Sequence, residues 1–169
     1  LLTRFAPALV PAASRGVHTE AKLAELGVTL PEVVRPIGTY TIAKRSGNLV
    51  YTAGHLPKPA DGPMPAGTVG RDFTTEEGYA HARQVGINLL ATVKDEIGDL
   101  DKVKQVVKLT AFVNCVDGFT EQPQVANGVS DLFGDAFGER GVHARSAVGT
   151  NSLPLDVPVE VEAIFEVEE

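Results

Sequence analysis

Arg145 lies in the run Ala144-Arg145-Ser146-Ala147, and Glu160 and Glu162 lie in Val159-Glu160-Val161-Glu162-Ala163. Leu153-Pro154-Leu155-Asp156 falls between them. An arginine presents a planar fork that grips a carboxylate through two parallel N–H bonds and does not lose its charge. A glutamate withdrawn from water can position or deprotonate a water molecule. Plainer roles suit the same residues. A strand arginine can pair with a surface glutamate, and Glu162 reads best as part of a solvated sheet face.

The other reactive side chains offer less. His18, His55, His81 and His143 are scattered and lack the local spacing of a zinc site or a metalloprotease helix, so structural or surface roles fit them better. Cys115 ends an apolar strand and reads as an inert thiol. A single cysteine excludes a disulfide framework and any multi-cysteine metal site. The chain has no Gly-rich phosphate loop, nucleophile elbow or dinucleotide fingerprint, and no active-site nucleophile is apparent.

Composition narrows the partners. The 169 residues carry 15 Lys+Arg against 22 Asp+Glu, a formal charge of −7. That balance argues against affinity gained by neutralising phosphates. With no Trp and three Tyr, a base-stacking platform is not expected either. No run of about 18 apolar residues is present, so no helical membrane span is expected.

The elements that must position these residues follow from periodicity. Glu20 to Leu26 suits a short helix stopped by Gly27 and Pro31. Tyr40 to Lys44 and Leu49 to Ala53, joined through Ser46-Gly47-Asn48, read as a β-hairpin. Pro57 to Phe73 holds four Pro and three Gly and reads as a long ordered loop or lid. Thr74 and Glu77 have capping-box spacing, and Tyr79, Ala82, Gly86, Leu90, Val93 and Ile97 form a helical stripe closed by Gly98.

Strict alternation over Val103 to Val113 puts Val103, Gln105, Val107, Leu109, Ala111 and Val113 on one face. Lys104, Val106, Lys108, Thr110 and Phe112 fall on the other. Val125, Val129, Leu132, Phe133 and Ala136 stripe a second long helix that ends near Gly138. His143 to Val148 and Val157 to Val167 are the last strands, the latter with Glu160, Glu162, Ile164 and Glu166 opposite its valines. The order predicts one α+β domain over 20–169, with a mixed sheet and both long helices on one face. The uncovered face would keep Val106, Phe112 and Ile164, a patch that a monomer rarely tolerates and that predicts burial between copies of the chain. Residues 1–19 contain Arg4, Arg15, His18 and hydroxyl residues but no acid. That is the composition of a mitochondrial targeting segment, with a disordered tail as the alternative; localisation is then mitochondrial or, failing that, cytoplasmic.

The succession A-R-S, L-P and V-E-V-E-A resembles the C-terminal signature of the YjgF/RidA family, also called the endoribonuclease L-PSP family. Gly38-Thr39-Tyr40 and Tyr51-Thr52-Ala53-Gly54-His55-Leu56-Pro57 are similar to its N-terminal hairpin, so the likeness spans about Pro36 to Glu168. Asn127 to Leu132 and His143 to Gly149 resemble a divergent subgroup. The resemblance implies a chorismate-mutase-like α+β protomer, a homotrimer with clefts between subunits, and hydrolysis of reactive enamines and imines such as 2-aminoacrylate to 2-oxo acids and ammonia. It places the carboxylate-binding arginine at Arg145 and the cleft glutamate at Glu160. The substrate-binding positions fall at Tyr40, Gly54, Asn127 and Ala147. Ala147 stands where the archetype has a cysteine, and Ser152 where it has an arginine. No metal or cofactor is implied; the implied ligand is a small imino acid or carboxylate. A non-catalytic carboxylate-binding trimer is an alternative. So is an endoribonuclease or translation inhibitor, as the older family name implies, although that would need basic and aromatic surface.

Overall fold

The computed structural model describes residues 18–36 and 38–169. The targeting or tail reading of residues 1–19 lies almost wholly outside the described residues. Helix α1 (Thr19–Glu25) is followed by strands β1 (Ala43–Ser46) and β2 (Leu49–Thr52), then helix α2 (Thr75–Ile97) and strand β3 (Val103–Asn114). Helix α3 (Gln122–Phe137) leads to strands β4 (Ala144–Thr150) and β5 (Val159–Val167). The sheet order is β1-β2-β5-β3-β4. β3 and β4 run parallel, joined by α3 as the crossover, and all other pairs are antiparallel.

Local chemistry sets the boundaries. Thr74 accepts from the Glu77 N–H while the Glu77 carboxylate accepts from the Thr74 N–H, a complete capping box. Gly98 and Gly138 end α2 and α3 at positive φ. The hairpin turns through two residues with Gly47 at φ +60°, and β1 starts at Ala43 rather than at Tyr40. Pro57 to Phe73 is irregular but anchored: the Val69 N–H donates to the Asn114 carbonyl, and the Val116 N–H to the Val69 carbonyl. The Gly67 N–H donates to the Asp156 carbonyl.

The faces of β3 differ from the strict alternation that its sequence predicts. Two irregularities in the β3–β5 ladder, at Val103/Gln105 and Val106/Lys108, break the alternation. A bulge puts an extra residue against one partner and exchanges the faces beyond it. Val106 is therefore in the core at 2% exposure, whereas Val107 points out at 37%. The uncovered face carries Val107, Phe112, Val148, Ile164 and Tyr51 instead. The opposite face holds Leu109, Ala111, Val161 and Phe165 beneath α2 and α3. There Phe133 meets Phe165 edge-on at 5.6 Å.

The two long helices touch through backbone at Gly128. A Cβ there would fall on the Tyr79 carbonyl oxygen and lie 2.8 Å from the Arg83 nitrogen, and neither can step aside. Gly134, on the same helix, has nothing within 4 Å of a Cβ. Gly128→Ala should cost about 1–3 kcal/mol or more by overpacking. Gly134→Ala should gain about 0.5–1 kcal/mol from helix propensity. Chemical denaturation of the two variants checks both signs.

Candidate functional site

Parallel pairing sets Arg145 opposite Leu109 on the helix-covered face, at the β4 edge of the sheet beside α3. There its Nη1 donates to Asn127 Oδ1 at 2.8 Å and to Ser130 Oγ at 2.9 Å. Both acceptors are neutral. Among the described residues no carboxylate lies within ion-pair distance of this half-buried guanidinium. Its charge therefore stays uncompensated, and the surface-glutamate pairing considered from the sequence is not formed. Nη1 has spent both hydrogens, leaving the Nη2 and Nε edge for an anion. Ala147 follows two residues later on the same face and packs against the core.

Glu160 belongs to a different place. It pairs with Phe112 on β3 and so points from the uncovered face, two strands from Arg145 and about 9–10 Å across the sheet. Its carboxylate lies over Gly54, where a Cβ would overlap Oε1. Gly54 is needed for that close approach, not for a special backbone angle. Burial, with the neighbouring Glu162 charge adding to it, holds the Glu160 carboxyl above the ordinary carboxylate range. Glu162 itself is exposed, as a solvated face requires.

Tyr40, 64% exposed, lines a groove of about 560 Å³ together with Gly54, Pro36, Met64, Asn88 and Thr92. The candidate residues thus fall into two separate groups. Arg145, Asn127 and Ala147 form one, and Glu160 over Gly54 forms the other; Tyr40 lines the groove beside Gly54 and α2. The sheet stands between them.

The histidines are used structurally in part. His55 Nδ1 donates to the Ala53 carbonyl at 2.8 Å, and Nε2 accepts from the Thr92 hydroxyl at 2.8 Å. Burial pushes this imidazole below the ordinary histidine range against the opposing Ala53 bond, so it stays neutral and pins the end of β2 to α2. His143 and Ser130, neither of which stood out in the sequence, lie against Arg145. The signal was there: Asn127 and Ser130 are three residues apart and share a helix face. Glu20, Asp99 and Asp101 bring three carboxylates together. Each already has protein partners, with Glu20 paired to Lys94, Asp99 capping the turn at Leu100–Lys102 and Asp101 accepting from the Thr19 N–H.

A family model described as "YjgF/chorismate mutase-like, putative endoribonuclease" matches residues 20–166. Protein TCP17 of Trypanosoma cruzi is 44% identical over 147 residues, covering 86% of this chain and 92% of its own. The 2-iminobutanoate/2-iminopropanoate deaminase of Escherichia coli is 34% identical over 131 residues, covering 76% and 87%. The crystal structure of protein Atu1372 from Agrobacterium tumefaciens superposes with a TM-score of 0.83 at 42% identity, covering 89% of this chain and 92% of the other.

Keeping Glu160 ionised costs stability. Its folded pKa lies above its unfolded one, so the cost is present in full above the folded value and vanishes as pH falls below the unfolded value. Glu160→Gln should therefore raise the melting temperature at pH 7 and leave it unchanged near pH 4. Thermal scans at both pH values and one protein concentration check this.

Proposed function

Because this chain belongs to the YjgF/chorismate-mutase-like family, we propose that it hydrolyses small reactive enamines and imines, such as 2-aminoacrylate, to 2-oxo acids and ammonia. The observation that carries the reading is the Arg145 guanidinium. Neutral acceptors on one side hold it, and two N–H directions are left on the other. A 2-imino acid supplies the matching carboxylate. Held there, its C=N carbon is fixed relative to an attacking water, and positioning of this kind can lower a barrier by several kcal/mol. An enamine first shifts a proton from nitrogen to its β-carbon to become the 2-imino acid; water then adds across C=N, and the carbinolamine collapses to C=O with ammonia leaving. The name of the E. coli relative supports this class of substrate.

Glu160 is the proposed base. A raised pKa moves a carboxylate toward the value at which it accepts a proton effectively near neutral pH. Since it sits on the far face from Arg145, the complete site is proposed to form between copies of the chain. One copy contributes Arg145, Asn127 and Ala147; the next contributes Glu160, Gly54 and Tyr40. A homotrimer is proposed to cover the outward face of Val107, Phe112, Val148 and Ile164 in the same way. The mitochondrial address of residues 1–19 stays a proposal too, tested by where a tagged 20–169 form distributes relative to the full chain.

Ammonia release from an amino-acid oxidase's imino-acid product should be accelerated by the wild-type chain. Arg145→Lys keeps the charge but loses the fork, and should weaken 2-oxo acid binding about tenfold or more. Glu160→Gln should lower kcat with little change in product affinity, and Glu162→Gln should alter neither. A chain that binds 2-oxo acids without releasing ammonia is a binding module. Arg145→Ala binding as tightly as wild type removes the clamp altogether.

Light scattering at micromolar concentration should give about three times the protomer mass of 17.8 kDa; a stable monomer would reject the shared site.

A further inference from the structure

We propose that Ser130 and His143 are positioning residues for the Arg145 carboxylate clamp, a relay that fixes which way the Ser130 hydroxyl points and hence where the guanidinium lies. The proposal rests on reading Arg145 as that clamp.

The bond directions follow from which atoms hold hydrogens. His143 Nδ1 lies 2.6 Å from the Gly141 carbonyl oxygen, which only accepts, so Nδ1 carries the proton. Nε2 is then a bare lone pair, and Ser130 Oγ, 3.1 Å away, donates to it. The Ser130 hydroxyl has one proton. Once it is given to His143, the oxygen lone pairs are free to accept Arg145 Nη1 at 2.9 Å. The competing acceptor is the Ala126 carbonyl, one turn back along α3 and longer at 3.4 Å. Without His143, a serine in mid-helix turns its proton to that carbonyl, and the hydroxyl is no longer locked for the guanidinium.

The surroundings keep the imidazole in the form the relay needs. Phe133 of α3 packs edge-on to its ring at 6.0 Å. Burial and the Arg145 charge hold it below the ordinary histidine range, against the Gly141 bond. Arg140, on the neighbouring turn Gly138–Gly141, is committed to the Val103 carbonyl and lies over the Phe137 ring. A neutral imidazole accepts; a protonated one could not take the serine proton. With Asn127 taking the other Nη1 hydrogen, this end of the guanidinium is fixed by two neutral acceptors, and the Nη2–Nε edge is presented as a preset pair.

The test is titration of the full-length chain with pyruvate by calorimetry at pH 7.5. Ser130→Ala and His143→Ala should each weaken binding about five- to tenfold, the size of one net hydrogen bond. The double variant should be no weaker than Ser130→Ala alone, because the two act as one chain. His143→Gln should restore binding to within about twofold, since the Gln Oε1 accepts where Nε2 did. In turnover, the single variants should raise KM and leave kcat nearly unchanged. Wild-type-like binding by Ser130→Ala, additive losses in the double variant, or failure of glutamine to rescue would overturn the relay. If wild type itself does not bind pyruvate, the clamp reading fails first and takes the relay with it. Ser130→Ala places a good helix former in α3 and is therefore the informative variant should His143→Ala not fold. Proton–nitrogen NMR of the free chain gives an independent check: the Nδ1–H tautomer is expected for His143, and an Nε2–H tautomer refutes the bond directions.

Discussion

The architecture depends on how closely α2 and α3 approach. At Gly128 the helices meet backbone to backbone, which lets them lie as one layer over a single face of a five-stranded sheet. Gly128 is also flanked by the residues that face the other way. Asn127 and Ser130 reach down to Arg145 on β4, the strand to which α3 crosses over. The glycine that seats α3 on α2 thereby sets the height of the two acceptors above the guanidinium. Packing and site geometry are one constraint here.

The sheet imposes a second constraint. Side chains alternate across a strand, so a residue's parity decides which half-site it can join. Arg145 shares its face with Leu109 and the helices, whereas Glu160 shares its face with Phe112. No side-chain rotation brings the two together within one protomer. A chemistry that uses both requires a second chain, which makes assembly part of the proposed function rather than an addition to it.

Much of this is legible in the sequence. The capping box at Thr74 and Glu77, the glycine stops at 98 and 138, and the alternation from Val159 to Val167 are local signals, and each sits where local physics puts it, the last strand starting two residues later than the expected Val157 because the Pro154–Asp156 turn runs up to it. The faces of β3 were half misread because bulges depend on the partner strand and leave no mark in a valine-rich run. The contact between Gly54 and Glu160 joins residues more than a hundred apart, and periodicity cannot reveal it. The role of His143 leaves no trace in local spacing, because its partners are a backbone carbonyl and a serine on another element. Arg145 and Glu160 were found by motif, yet their separation onto opposite faces is visible only in the register.

The segment from Pro57 to Phe73 contains no regular element, yet Val69 is fully buried and bonded on both sides to the end of β3. Asn114, buried at that end, donates to the carbonyls of Gly67 and Val157 and to the Asp156 carboxylate, tying the segment to the Leu153–Asp156 turn. Opening its Gly67–Phe73 end would break these bonds together, so that end cannot fray residue by residue as surface loops do. The amide protons of Gly67 and Val69 should, in hydrogen-exchange terms, belong to the same cooperative unit as the central strands. A protease that nicks exposed loops would find the Gly67–Val69 stretch shielded by the sheet it is fastened to, and would act first on the exposed Ala60–Pro63 stretch.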